Sequence, residues 1–276
     1  MQRKLGINCD CIQNFNPLET LEIIKDVGFD CFFTGENITE LSTVSALKNK
    51  AEKLNLSYEF IHAPFKNVNS MWQESEQTKP FMQGIFQAID NAATVGVPLI
   101  ILHSSSTWTP PAMTNAGFAR YDELVAYGEK KNVRIAFENL RIFDYYSALL
   151  NRYENNPFVG FCFDNGHEHW CFPEFDHIHT FANKLCCVHL HDNLGKPQNY
   201  REVNGDLHLL PFDGNFNFAE MMKRLNDVDY QGALTLEVHN ARRLEVHNAR
   251  RAEYLEMSAE AFLKTAYARL KKIANF

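Results

Sequence analysis

Residues 133–139 read VRIAFEN and residues 159–165 read VGFCFDN. Each holds a short apolar run, Val133 to Phe137 and Val159 to Phe163, that closes on one carboxylate, Glu138 and Asp164. Four more segments repeat the pattern: Ser57 to Ile61 before His62, Pro98 to Leu102 before His103, Leu185 to Val188 before His189, and Ala233 to Leu236 before Glu237. Runs of this length, rich in Val, Ile, Leu and Phe, suit strands buried on both faces of a parallel sheet. A polar residue at the end of one such strand is ordinary. Six in succession form a pattern, because the C-terminal ends of the strands in a parallel barrel converge on one mouth.

Working outward, two further runs, Lys4 to Asn8 and Phe29 to Phe33, bring the count to eight. Helical period fills the spaces at Pro17 to Val27, at Ile38 to Leu54, and over Met82, Ile85, Ile89 and Ala93, with Gly96 closing the third. A last helix puts Leu255, Phe262, Leu263, Ala266, Leu270 and Ile273 on one stripe. Strand ends recur about every 25 to 48 residues, one strand, loop and helix per step. Eight such steps with no Pro/Gly/Ser-rich linker predict one α/β domain over residues 1–276, a closed (β/α)8 TIM barrel. A doubly wound open sheet would ordinarily carry a Gly-rich phosphate loop after its first strand, and Asn8-Cys9-Asp10-Cys11 is not one.

Composition narrows the function classes. A chain of 276 residues with 45% hydrophobic content can bury one large core, and its net charge of −7 leaves no basic footprint for nucleic acid. The N-terminus, Met1-Gln2-Arg3-Lys4, shows no signal segment, and no stretch approaches the roughly 20 apolar residues of a membrane span. Seven cysteines without metal-finger spacing, three of them (Cys162, Cys186, Cys187) inside strand runs, read as buried reduced thiols and a cytoplasmic location. One irregularity stands out: Leu236 to Arg243 reads LEVHNARR, and Leu244 to Arg251 repeats it unchanged. Glu237 follows a proper strand, Ala-Leu-Thr-Leu; Glu245 follows Ala-Arg-Arg-Leu, which cannot be a buried strand interior. Glu237 is therefore the expected site residue.

Glu138, Asp164, His189 and Glu237 end strands five to eight by this count and share one half of the mouth. Three carboxylates and an imidazole make a hard donor set suited to one Mn, Mg, Co or Zn ion. A single acid at a strand end usually caps the next helix or pairs with an Arg. Four converging residues need a cation, since clustered carboxylates repel and raise one another's pKa.

The phrases Ile135–Leu140 (IAFENL), Phe163–His167 (FDNGH), Val188–Asn193 (VHLHDN), Asp206–His208 (DLH) and Leu234–His239 (LTLEVH) resemble the xylose-isomerase-like barrels. That family unites sugar isomerases and epimerases, inosose dehydratases and endonuclease IV. The resemblance runs strand by strand over essentially the whole chain, and it implies a single-metal site on Glu138, Asp164, His189 and Glu237. It also implies that Glu138 and Glu237 form an acid–base pair on opposite sides of a substrate whose carbonyl the metal polarises, with His167 a contact to substrate oxygens. His62, His103, His167, Asp206 and His208 fall where endonuclease IV completes a three-zinc cluster, one ion on His62, His103 and Glu138, another on His167, Asp206 and His208. Two or three zinc ions and a phosphoester hydrolase are thus the alternative. Against it, Ser104-Ser105-Ser106 stands where that enzyme has Pro-Gly-Ser, and Leu140-Arg141-Ile142-Phe143 where it has Ala-Gly-Gln-Gly.

The expected activity is a metal-dependent isomerase or epimerase of a small sugar, sugar phosphate or hydroxy-keto acid, with an inosose-type dehydratase as a close variant. A barrel that binds a sugar without turning it over would have no use for two acid–base carboxylates. The expected partner is a small carbohydrate; no membrane partner is expected, nucleic acid is disfavoured, and a homo-oligomer stays open. Lys196 and Arg201, in the loop Asn193 to Gly205, are candidates for a substrate phosphate or carboxylate. Phe65, Trp72, Trp108 and Trp170 are candidates for an apolar wall. His191 reads as a supporting or surface residue, His177 and His179 as surface, and His169, His239 and His247 have no evident partner.

Overall fold

The computed structural model describes residues 3–240 and 249–276, with side chains in the second stretch from residue 252 onward. Eight strands among the described residues pair in parallel: β1 (Leu5–Asn8), β2 (Cys31–Thr34), β3 (Ser57–His62), β4 (Leu99–Leu102), β5 (Arg134–Glu138), β6 (Val159–Asp164), β7 (Leu185–His189) and β8 (Leu234–Leu236). Sheet order is β7-β6-β5-β4-β3-β2-β1-β8. The ring closes where the Leu190 amide donates to the Thr235 carbonyl at 2.9 Å and the Glu237 amide to the Leu190 carbonyl at 3.0 Å. The result is a (β/α)8 barrel.

The helices are α1 (Pro17–Val27), α2 (Leu41–Leu54), α3 (Thr78–Val95), α4 (Asn115–Lys131), α5 (Phe143–Arg152), α6 (Asn165–Cys171), α7 (His177–Thr180), α8 (Phe218–Asp227), α9 (Ala249–Glu256) and α10 (Ala259–Ala274). Asn16 caps α1 by accepting from the Leu18 amide with Pro17 in the first turn, and α3 stops at Gly96, whose φ of 69° suits a residue without Cβ. Two expectations need correction. Helix α2 starts at Leu41 rather than Ile38. The last helical stretch is two helices, because Ser258 takes an extended conformation and its hydroxyl caps α10 through the Ala261 amide. Leu255 therefore belongs to the end of α9 and is 43% exposed, while Phe262, Leu263, Ala266, Leu270 and Ile273 form the buried stripe of α10.

The main core lies between barrel and helices. A second cluster, Phe33, Phe60, Leu99, Ile101, Ala136, Cys162 and Cys187, fills the barrel interior. This inner layer is the floor beneath the polar strand ends: the ring of His189 stacks on Phe33 at 5.3 Å between centroids. All seven cysteines are free thiols, and six are buried.

Candidate metal centre

Parallel strands alternate inward and outward, so the last residue of each strand chooses between the barrel axis and the helices. His62, Glu138, Asp164 and His189 end β3, β5, β6 and β7, and His103 and Glu237 directly follow β4 and β8. All six face the mouth and are buried. The ligand atoms of Glu138, Asp164, His189 and Glu237 lie within 4.8 Å of one another. His189 Nδ1 stands 3.5 Å from Glu138 Oε1 and 3.4 Å from Glu237 Oε2.

Side-chain amides stitch these strand ends together. Asn139 donates to the Asp164 carbonyl at 2.8 Å and accepts from the Asp164 amide at 2.7 Å, fastening β5 to β6. Asn165 does the same to the backbone of His191 at 2.9 and 2.8 Å, fastening β6 to β7. Asn8 accepts from the Val238 amide, tying β1 to the extension of β8. Sequence reasoning missed this role, although the recurrent Asn after an acid (Glu138-Asn139, Asp164-Asn165, Asp192-Asn193) was its signal.

Asp206 and His208 arrive on a loop. Asp192 and Leu209 exchange backbone hydrogen bonds at 2.9 and 3.0 Å, so the chain leaves the mouth after Asp192 and returns antiparallel to itself. That return sets His208 against His191, rings stacked at 4.2 Å and 15°. His208 has a φ of 48°, uncommon for a residue with a side chain, and its Nδ1 bonds the Glu237 carbonyl oxygen at 2.8 Å.

Two flanking groups also have metal-ligand spacing: His62, His103 and Glu138, and His191, Asp206 and His208. His191 is buried, not at the surface; its Nε2 lies 3.2 Å from Asp164 Oδ1, and its ligand atom falls within 4.8 Å of those of Asp206 and His208. His167 bridges, with Nδ1 3.2 Å from Glu138 Oε1 and 3.5 Å from Asp164 Oδ1, and Nε2 3.6 Å from Asp206 Oδ1. Asp164 also performs the ordinary duty of a strand-end acid, since Oδ1 caps α6 through the His167 amide at 2.6 Å.

The electrostatics are those of a site built around positive charge. Burial opposes ionisation of Glu138, yet His189 and His103 hold its carboxyl well below the usual range. Burial likewise opposes charge on Asp206, and His208 and His167 hold it well below normal. Burial disfavours a charged His189, but Glu237 and Glu138 outweigh it and push the ring up to about 9. His167 is raised well above its ordinary value against the same burial, chiefly by Asp164 and Asp206. His103 is lowered, because burial there prevails over Glu138. Despite full burial, both ring nitrogens of His189, Nδ1 of His167 and Oε2 of Glu138 make no hydrogen bond among the described residues. Each such orphan ordinarily costs about 1–3 kcal/mol. Oxygen and imidazole donors that converge within ion-pair distance yet make no hydrogen bond fit a divalent cation of the Mn, Mg, Co or Zn type.

Above this floor opens a small pocket of about 50 Å³. Glu138, Glu237, His62, His103, His167, Asp206 and His208 face it, whereas Asp164 and His189 lie beneath. Phe65 lines the pocket and stacks on His103 at 4.4 Å. Trp72 contributes no wall; it is buried, with Nε1 on the Ser104 carbonyl at 2.7 Å. Trp170 is buried against half-buried Trp108, ring centroids 5.3 Å apart. Lys196 and Arg201 do not line the pocket: Lys196 bonds the Cys171 carbonyl at 2.8 Å, and Arg201 lies over Trp108 and Tyr200. The pocket's cation is Arg141, which sequence reading noted only as a departure from a motif.

Other histidines sort plainly. His177, expected at the surface, is fully buried, bonded to Glu168 at 2.9 Å and to the Tyr146 hydroxyl at 2.8 Å; His179 is exposed. His169 bonds Asn215 at 2.6 Å, and His239 rests against His208. Glu245 and His247 lie outside the described residues.

The sequence profile of the family described as xylose isomerase-like TIM barrel matches residues 21–265. The chain belongs to that family. An uncharacterized protein of Sinorhizobium fredii, y4fM, is 31% identical over 163 residues, which are 54% of this chain and 50% of that protein, so the match spans half of that relative's length. A second, MJ1311 of Methanocaldococcus jannaschii, is 25% identical over 216 residues, 72% of this chain and 71% of that protein. Among solved structures, a D-tagatose 3-epimerase-like protein superposes with a TM-score of 0.69 at 20% identity over 98% of both chains. An L-ribulose 3-epimerase superposes with a TM-score of 0.71 at 15% identity, over 100% of this chain and 95% of that one. At such identities the superpositions establish the shared barrel. No helix among the described residues is long and apolar enough to cross a membrane.

Proposed function

We propose that this protein is a divalent-metal-dependent isomerase or epimerase of a small sugar or hydroxy-keto compound. The observation that carries the reading is the convergence of Glu138, Asp164, His189 and Glu237 within 4.8 Å, with both glutamates open to the pocket and the other two beneath it. Glu138, Asp164, His189 and Glu237 would hold the metal. Bound there, it would supply Lewis acidity that makes the C–H beside a carbonyl easier to remove. The side chains do the rest. One glutamate accepts the proton from that carbon and the other returns one, either to the opposite face or to the neighbouring carbon. His167, itself on Glu138 and facing the pocket, donates to a substrate oxygen. Burial of the floor excludes water, which sharpens each electrostatic interaction.

Solvent-deuterium exchange into the carbon beside the carbonyl of a ketose, followed by NMR with Mn-loaded protein, tests the reading. Exchange is expected in the wild type and is expected to vanish in Glu237→Gln together with tight metal binding. Exchange that survives Glu237→Gln, or its absence with every ketose tried, would count against it.

The two flanking ligand groups favour a second reading, a phosphoester hydrolase with two or three zinc ions, which would cut an abasic-site oligonucleotide and leave ketoses unexchanged.

A further inference from the structure

Arg141 follows the Glu138-Asn139-Leu140 turn at the end of β5 and lines the same pocket as Glu138 and Glu237. Four carboxylates hang in or under that pocket. A guanidinium beside them would be expected to fall onto one and neutralise it. Among the described residues Arg141 makes neither an ion pair nor a hydrogen bond. What holds it off is the indole of Trp170, over which its guanidinium carbon stands 5.0 Å from the ring centroid. Trp170 is itself pinned. Gly205 lies so close that a Cβ there would meet the indole at 2.4 Å, and Trp108 meets it edge-on at 5.3 Å. The other cations of this region are already engaged, Lys196 on the Cys171 carbonyl and Arg201 on Tyr200. Thr107, a β-branched residue at φ 65°, stands on the same pocket wall; such a conformation is rare for its type and persists where surrounding structure imposes it.

A guanidinium resting over an aromatic ring keeps its N–H fork free to take two oxygens of one oxyanion. We infer that the substrate of this site carries a terminal oxyanion, a phosphate ester or a carboxylate, which Arg141 receives while the hydroxy-carbonyl end lies at Glu138 and Glu237. This rests on the isomerase reading for the reacting end only. The oxyanion site itself is a property of Arg141, Trp170 and the pocket.

The test compares wild-type, Arg141→Met and Arg141→Lys proteins on D-ribulose 5-phosphate, hydroxypyruvate and neutral D-ribulose. Binding is read by calorimetry and reaction by solvent-deuterium exchange. Wild type is expected to bind one of the two anionic compounds more tightly than D-ribulose. Arg141→Met should weaken that binding about 10- to 100-fold, the value of a charge-assisted contact, Arg141→Lys should retain part of it, and D-ribulose binding should weaken by a much smaller factor. Preference for D-ribulose 5-phosphate identifies a phosphate site, preference for hydroxypyruvate a carboxylate site. The inference is overturned if neither anionic compound binds, if D-ribulose binds as tightly as both, or if Arg141→Met leaves anion binding intact. Arg141-dependent binding without exchange would uphold the oxyanion site while removing the isomerase reading. Exchange of D-ribulose with Arg141-independent binding would do the reverse.

Discussion

Replacing Gly166 with alanine should damage the metal centre from beneath, without touching a ligand. A Cβ on Gly166 would lie 1.9 Å from His191 Cε1, 2.4 Å from Nε2 and 2.6 Å from Nδ1. Carbon contacts settle at about 3.5 Å or more, so the ring must retreat by roughly 1.6 Å. It has no room. His208 stacks on it at 4.2 Å, and Asn165 grips its backbone from both sides. Overpacking of this kind costs about 1–3 kcal/mol. Pushing Nε2 off Asp164, now 3.2 and 3.3 Å away, forfeits a charge-assisted contact of about 1.5–3 kcal/mol. Alanine returns roughly 1 kcal/mol through helix propensity, leaving a net loss of about 1.5–5 kcal/mol in urea unfolding. Metal affinity should fall about 10- to 100-fold, as when a residue that orients a ligand is lost. A double-mutant cycle isolates the cause. His191→Ala removes the clashing ring, so Gly166→Ala made on that background should cost at least 1 kcal/mol less than in the wild type. A Gly166→Ala protein as stable as the wild type, or strictly additive effects, would refute the reasoning.

Arg224→Met should destabilise the fold by about 1–3 kcal/mol, because it leaves Oε1 of the buried Glu168, which Arg224 bonds at 2.7 Å, without that partner while His177 keeps Oε2; equilibrium unfolding measures this, and a change under about 0.5 kcal/mol would show the pair to be dispensable. Metal binding should release protons. His189 sits at about 9 in the metal-free protein, raised from 6.5, so its ring is charged at neutral pH and must lose that proton to ligate. The stability contributed by the charged ring is fully present below pH 6.5 and is lost as pH rises through about 9, while metal affinity climbs over the same interval. Calorimetry in two buffers of different ionisation enthalpy should show the proton; affinity independent of pH from 6.5 to 9 would contradict the assignment.

The barrel was legible because each strand states its own end: an apolar run buried on both faces stops at the first residue that must meet the mouth, and those residues are His62, Glu138, Asp164 and His189. The four-residue centre was legible for the same reason. Placement of the loop-borne groups was not. That His191 lies with Asp206 and His208 depends on how the chain returns at Leu209, a backbone pairing over 17 residues with no periodicity to announce it. The burial of His177 was hidden because its partners, Glu168 on α6, Tyr146 on α5 and phenylalanines of α5, β6 and the segment after α6, are brought together only in space. Arg141 was seen only as a departure from a motif, since its meaning comes from Trp170, 29 positions away and beside it only in space. Of the repeated LEVHNARR, the first copy is described as far as Asn240: Leu236 ends β8, and Asn240 holds the Gln13 amide at 2.8 Å and the Cys11 carbonyl at 3.0 Å.

Metal content per chain, identified by element in protein purified without chelators and compared with Asp164→Asn, tests the central claim most directly. The account predicts close to one Mn, Mg, Co or Zn ion in the wild type and near-background content in the variant. Two to three zinc ions per chain would contradict a single-metal isomerase and bring the flanking histidine groups into the chemistry, and a protein that exchanges ketose protons with no metal bound would contradict the centre itself.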